Sequence, residues 1–123
     1  PDTVFLNHYN DTHSDHRVVF DNLRFLMKSF RYTYIKNILM MEIISETDQG
    51  LSIINQTFKP NIFINIEKYF NLKIKASMIY KSQIGNPPFP RSIENIKALA
   101  TLRGAQSGYK YAEAFMLIKS KID

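Results

Sequence analysis

Residues 3–17 read Thr3-Val4-Phe5-Leu6-Asn7-His8-Tyr9-Asn10-Asp11-Thr12-His13-Ser14-Asp15-His16-Arg17. Thr3 to Leu6 is a short apolar, β-prone run, the pattern of a buried strand. The next residues, His8 to Ser14, are polar and loop-like. A helix is expected over 15–31, with Ser14 or Thr12 as its N-cap. Val19, Leu23, Leu26 and Phe30 fall at helical spacing, and Phe20 and Met27 widen that face. Strand, polar loop and helix in this order open a βα unit.

The remaining sequence continues the alternation. A strand is expected within 34–44, followed by a looser connection over 45–56. Lys59-Pro60-Asn61 is a turn signal, and Ile62-Phe63-Ile64-Asn65-Ile66 is a β-branched run that reads as a strand. A helix is expected over 67–83, with Tyr69, Leu72, Ala76, Ile79 and Tyr80 on one side. Pro87, Pro88 and Pro90 remove donors and fix φ, which excludes regular structure over 85–90. Ser92 then caps a helix containing Ile93, Ile96, Leu99, Ala100 and Leu102, with Gly104 and Gly108 flanking its end. A last strand is expected over 114–118. Strands alternating with helices indicate an α/β domain with a largely parallel sheet.

Bulk properties narrow the chemistry. The chain has 123 residues, 45% hydrophobic and 22% charged, which suits one globular domain. It contains no cysteine, so disulfides, thiolate metal sites and a cysteine nucleophile are excluded, and any metal must be held by His and carboxylate. No apolar run approaches the roughly 20 residues that span a bilayer, so no transmembrane segment is expected. No charged-then-apolar segment opens these residues, and a cytoplasmic location is expected. The net charge is +5, with Lys and Arg spread along the chain. Such a balance suits a solvated basic surface or a phosphorylated substrate. Basic residues with neighbouring aromatics occur, as in Phe30-Arg31-Tyr32, but no nucleic-acid motif accompanies them, so no nucleic-acid partner is expected. The sequence has neither a Gly-x-Ser-x-Gly elbow nor a Gly-rich phosphate loop.

Chemistry concentrates at the first strand-to-helix junction. Asp11, His13, Asp15 and His16 lie within six residues there, at the carboxyl end of a strand, where α/β sheets gather their ligands. One neutral imidazole can bind a metal, and the other can donate a proton or stabilise an oxyanion. Asp11 and Asp15 can orient those rings by accepting their N–H groups. The same residues also suit an ordinary helix start with polar capping. His-x-x-His alone is short of a metal site, which needs at least three protein ligands. His8 could line the same cleft, with a surface loop as the expectation.

These residues resemble the PIG-L/LmbE-like deacetylase family. Asp11-Thr12-His13-Ser14-Asp15-His16-Arg17 is similar to its Asp-x-His-x-Asp-His-Arg motif. Met41-Glu42 resembles its strand ending in Glu. Phe58-Lys59-Pro60-Asn61 before Ile64-Asn65-Ile66 resembles its Phe-x-Pro-Asn segment, and Tyr80-Lys81-Ser82-Gln83 its helix ending in Ser-Gln. Arg103-Gly104, Gly108 and Tyr111-Ala112-Glu113-Ala114-Phe115 resemble its C-terminal signature. The resemblance implies that residues 1–123 are the C-terminal part of one deacetylase domain, a Rossmann-like three-layer sandwich whose N-terminal part is missing here.

It also implies zinc, or another divalent metal, and hydrolysis of the acetamido group of an N-acetylated sugar, free, phosphorylated or nucleotide-linked. His16 would be the metal ligand. His13 would stabilise the oxyanion or protonate the departing amine, with Asp15 and Asp11 as orienting catalytic partners. Arg17, Gln83 and Arg103 would be substrate-binding or structural residues, and Glu113 likewise. The family's Ala-His-Pro-Asp-Asp-Glu motif, which carries the other ligands and the base, is absent from this sequence. The rival expectation is a non-catalytic carbohydrate-binding or assembly module that keeps the scaffold, and either form could oligomerise.

Overall fold

The structure is a computed structural model that describes residues 1–53 and 55–122. Among the described residues, four strands, β1 (Thr3–Leu6), β2 (Asn37–Met41), β3 (Ile62–Asn65) and β4 (Ala112–Ser120), combine with three α-helices. These are α1 (Ser14–Leu23), α2 (Phe70–Ile79) and α3 (Ile93–Ser107). The strands form one mixed sheet in the order β1-β2-β4-β3. β1 and β2 run parallel, with Leu6 opposite Met40, and α1 lies in the connection between them. β4 returns antiparallel to β2, with Met41 opposite Phe115.

The expectation of a largely parallel sheet is therefore corrected: one strand pair is parallel and the rest are antiparallel. Sequence alternation predicts crossovers, and only the first connection is a crossover between neighbouring strands. β4 also carries a bulge, because its register against β2 shifts between Ile38 and Leu39.

The chain divides into two compact units, Pro1–Ile62 with Phe115–Asp123, and Phe63–Ala114. In the first, Leu6, Phe20, Ile35, Ile38 and Met40 form the buried core, with Tyr9, Leu23, Leu26 and Met27 packed against it. Helix α1 is shorter than its apolar spacing predicts. It ends at Leu23 and continues as one 3₁₀ turn, Arg24–Met27. The following Ser29-Phe30-Arg31-Tyr32-Thr33-Tyr34 is aromatic and β-branched, types that lose side-chain freedom in a helix. Phe30 is accordingly exposed, as is Val19, while Phe20 carries the contact with the core.

The second unit packs Ile66, Phe70 and Ala100 together, with Ile74 and Tyr111 against them. Phe70 and Tyr111 stack with ring centroids 4.1 Å apart. The side expected to be apolar on α2 is the exposed one: Tyr69, Leu72, Ile79 and Tyr80 all face solvent. Apolar residues occur all round this helix, so periodicity alone could not select the face that packs. Ser92 caps α3 as expected, its hydroxyl accepting from Asn95 N at 3.1 Å. Gly108 ends α3 in the left-handed conformation, φ 79°, which glycine adopts at no steric cost. Among the described residues, no helix is long and apolar enough to cross a membrane.

Gly104 is buried where the backbone following α3 doubles back. A Cβ there would lie 2.5 Å from Tyr109 O and 2.7 Å from Lys110 O. Gly104→Ala should destabilise the protein by about 1–3 kcal/mol, the scale of overpacking, although alanine favours helix by about 1 kcal/mol. A urea midpoint equal to or above that of the parent would contradict this packing.

Candidate functional site

The loop from β1 into α1 organises the site, and its backbone is held from three sides. Arg17 Nη1 donates to the carbonyls of Asp11 and Thr12, at 2.6 and 2.7 Å. Thr12 N donates to Glu46 O at 3.3 Å, and Thr12 Oγ1 donates to Glu46 Oε2 at 2.8 Å. Asn10 Nδ2 reaches the carbonyls of Leu51 and Gln56 at 3.0 and 3.1 Å, and Tyr9 Oη donates to Asn55 O at 2.7 Å. The connection after β2 thus braces the loop after β1. Its own turn is fixed by Thr47 Oγ1, which accepts from Ile43 N at 2.8 Å.

Within this frame Asp11 is 1% exposed. Its Oδ2 lies 2.9 Å from His16 Nδ1. A carboxylate only accepts, so neutral His16 carries its proton on Nδ1 and leaves the Nε2 lone pair bare. His13 is arranged in the opposite sense. Its Nδ1 accepts from Asp15 N at 3.2 Å and so serves as the N-cap of α1. Neutral His13 therefore carries its proton on Nε2. The two rings stack, centroids 4.8 Å apart and 21° from parallel. One ring offers a lone pair at Nε2 and its neighbour offers an N–H.

The cap is His13 rather than Ser14 or Thr12, because the Thr12 hydroxyl is engaged by Glu46 and the Ser14 hydroxyl points to Asp15 Oδ1. Asp15 orients His13 through its main-chain N–H. Its carboxylate is 82% exposed and stands 4.0 Å from His13 Nδ1. Arg17 is a clamp on the loop backbone. Asp11, His13, His16 and Arg17 are thus brought together, with Asp15 at the rim.

Gln83, Arg103 and Glu113 lie in the second unit. The carbonyl of Gln83 accepts from Arg91 Nε at 2.9 Å, Arg103 Nη1 donates to Gln106 Oε1 at 2.8 Å, and Glu113 pairs with Lys73 at 2.6 Å. Glu42 follows directly on β2.

His16 presents a bare Nε2 on a ring oriented by a carboxylate, the arrangement that metal-binding imidazoles use. Among the described residues, no three His, Asp or Glu side chains form a group that could hold a metal. No protein-family model matches the sequence.

Sequence reasoning misplaced His8 and missed Glu46 and Thr47. His8 is 1% exposed rather than on a surface loop. Leu6 and His8 are two apart, so the buried side of β1 extends one step into the loop, a period-two signal legible in hindsight. Glu46 gives no such signal, because its pairing with Thr12 is tertiary, and Thr47 acts through a turn contact with Ile43 N four residues back.

Burial holds the His8 pKa below the ordinary imidazole value, although the Asp11 charge pulls it upward. With its folded pKa depressed, neutral His8 has no effect on stability above about pH 6.5. As pH falls through that value the unfolded chain takes up a proton first, and folding weakens. Melting temperature measured from pH 7.5 to 5 should fall less steeply for His8→Gln than for the parent. Parallel curves would remove His8 as a source of acid sensitivity.

Proposed function

We propose that this chain carries part of the active site of a zinc-dependent amidohydrolase, another divalent metal being able to take the place of zinc. The substrate is an N-acetylated amino sugar of the N-acetylglucosamine type, free, phosphorylated or nucleotide-linked, and the acetyl group is removed. The elements described are read as the C-terminal part of a Rossmann-like three-layer domain. The observation that carries the reading is the stacked pair of imidazoles, His16 Nδ1 against the Asp11 carboxylate and His13 Nδ1 against the Asp15 main-chain N–H, which in the neutral rings implies a lone pair at His16 Nε2 beside an N–H at His13 Nε2.

Amide hydrolysis asks for both groups. An amide is a poor electrophile, and its carbonyl oxygen gains charge on attack. A bound zinc ion would supply the Lewis acidity. His16 Nε2 would hold one position on that ion, and Asp11 fixes the ring by accepting from Nδ1. His13 Nε2–H donates to the developing oxyanion; in its imidazolium form, protonated on both nitrogens, the ring would instead pass the Nε2 proton to the leaving amine and return to the neutral state. Arg17 keeps the Asp11 and Thr12 carbonyls in place, and with them the spacing of the two rings. The other ligands and the carboxylate that takes the proton of water come from outside these residues.

The test uses the full-length natural gene product. Acetate release from acetamido sugars should vanish with chelator and return with zinc. Activity that chelator leaves intact, or none on any acetamido sugar, rejects the reading; bound sugar without turnover supports a carbohydrate-binding module instead. His16→Ala should abolish stoichiometric zinc, and Asp11→Ala should weaken zinc binding by roughly 10–100-fold. Full zinc content in the His16 variant would remove it from the ligand set.

A further inference from the structure

Two polar atoms of this site are buried with no hydrogen-bond partner among the described residues: His8 Nε2 and Asp11 Oδ1. Their chemistry is complementary. His8 Nδ1 accepts from Asn10 N at 3.3 Å, so the neutral ring carries its proton on Nε2. Asp11 Oδ1 can only accept. The two residues belong to one tight turn, in which Asp11 N donates to His8 O at 3.2 Å. Tyr9 and Phe58 wall in the His8 ring, with centroids 4.5 and 5.6 Å away. A buried donor and a buried acceptor left apart each lose the hydration they had in water. One water between them would resolve both at once, accepting from the imidazole and donating to the carboxylate.

We propose that His8 is a positioning residue, whose Nε2–H holds Asp11 Oδ1 through one internal water and so commits Oδ2 to His16 Nδ1. The chain of groups runs His8, water, Asp11, His16, and its end product is the bare Nε2 of His16. Without the first member, Asp11 can rotate Oδ2 away from His16. The His16 ring is then free to carry its proton on either nitrogen. The inference deepens the reading of the same site and rests on it only for what the bare Nε2 is used for. The tautomer itself is a property of the metal-free chain.

The experiment is nitrogen-15 NMR of the imidazoles in the metal-free full-length protein, at about pH 9, where ordinary imidazoles are neutral. In the parent, His16 should show a protonated Nδ1 and an unprotonated Nε2. His8→Phe keeps a planar aromatic ring and removes the donor, so His16 should move to a mixture of both tautomers. His8→Gln restores an N–H donor and should return His16 to the single form. An unchanged His16 in His8→Phe overturns the proposal. So does an equal disturbance in both variants, which would assign His8 a packing role only. If His8→Phe does not fold, the parent decides: a nuclear Overhauser effect between the His8 Nε2 proton and a long-lived water supports the bridge, and its absence rejects it. Loss of zinc dependence in the full-length protein would sink the hydrolase reading and leave these tautomer results standing.

Discussion

A carboxylate that is 1% exposed sets the terms for everything around it. An ionised group taken out of water must find hydrogen-bond partners or become neutral. Asp11 has His16 on one oxygen, and its own carbonyl is held by Arg17. The turn that buries it is braced in turn by Thr12 on Glu46 and by Asn10 on two carbonyls of the 51–56 connection. The loop after β1 is therefore positioned by tertiary contacts more than by its own turn chemistry. The imidazoles inherit that rigidity, because one is bonded to Asp11 and the other caps the helix that follows.

The parallel pair β1 and β2, with α1 between them, is the part of the fold that serves the site. Both supporting loops leave the carboxyl ends of those two strands. This is where parallel βα units present ligands, because helix starts and loop ends converge there. The antiparallel return of β4 completes the sheet. Asn61 steadies it, accepting from Leu117 N at 2.7 Å through Oδ1.

Much of the local structure was legible because it depends on nearby residues. The β1 run, the Ser92 cap, the Gly108 end of α3 and the grouping at Asp11 to Arg17 each follow from a few neighbouring positions. Three features were not legible, and each has a long-range cause. The direction of β4 is decided by what lies beside β2. The packed face of α2 is decided by Phe70 meeting Tyr111, since apolar residues surround that helix. The burial of His8 is decided by Tyr9 and Phe58 closing over it. The division of labour between the two site histidines was half legible: their adjacency is in the sequence, but the nitrogen that each engages is set by the fold.

The cap of α1 has a further implication. Imidazole is not among the side chains that start helices best; Asn, Asp and Ser do so more strongly, and Thr or Gly serve as well. Any of these at residue 13 would hold the first turn at least as firmly. Folding alone thus gives no reason for a histidine there. The helix begins with a small thermodynamic deficit, below the roughly 0.5–2 kcal/mol that separates the best caps from a residue that does not cap at all, and the Nε2–H group is what the protein has in exchange.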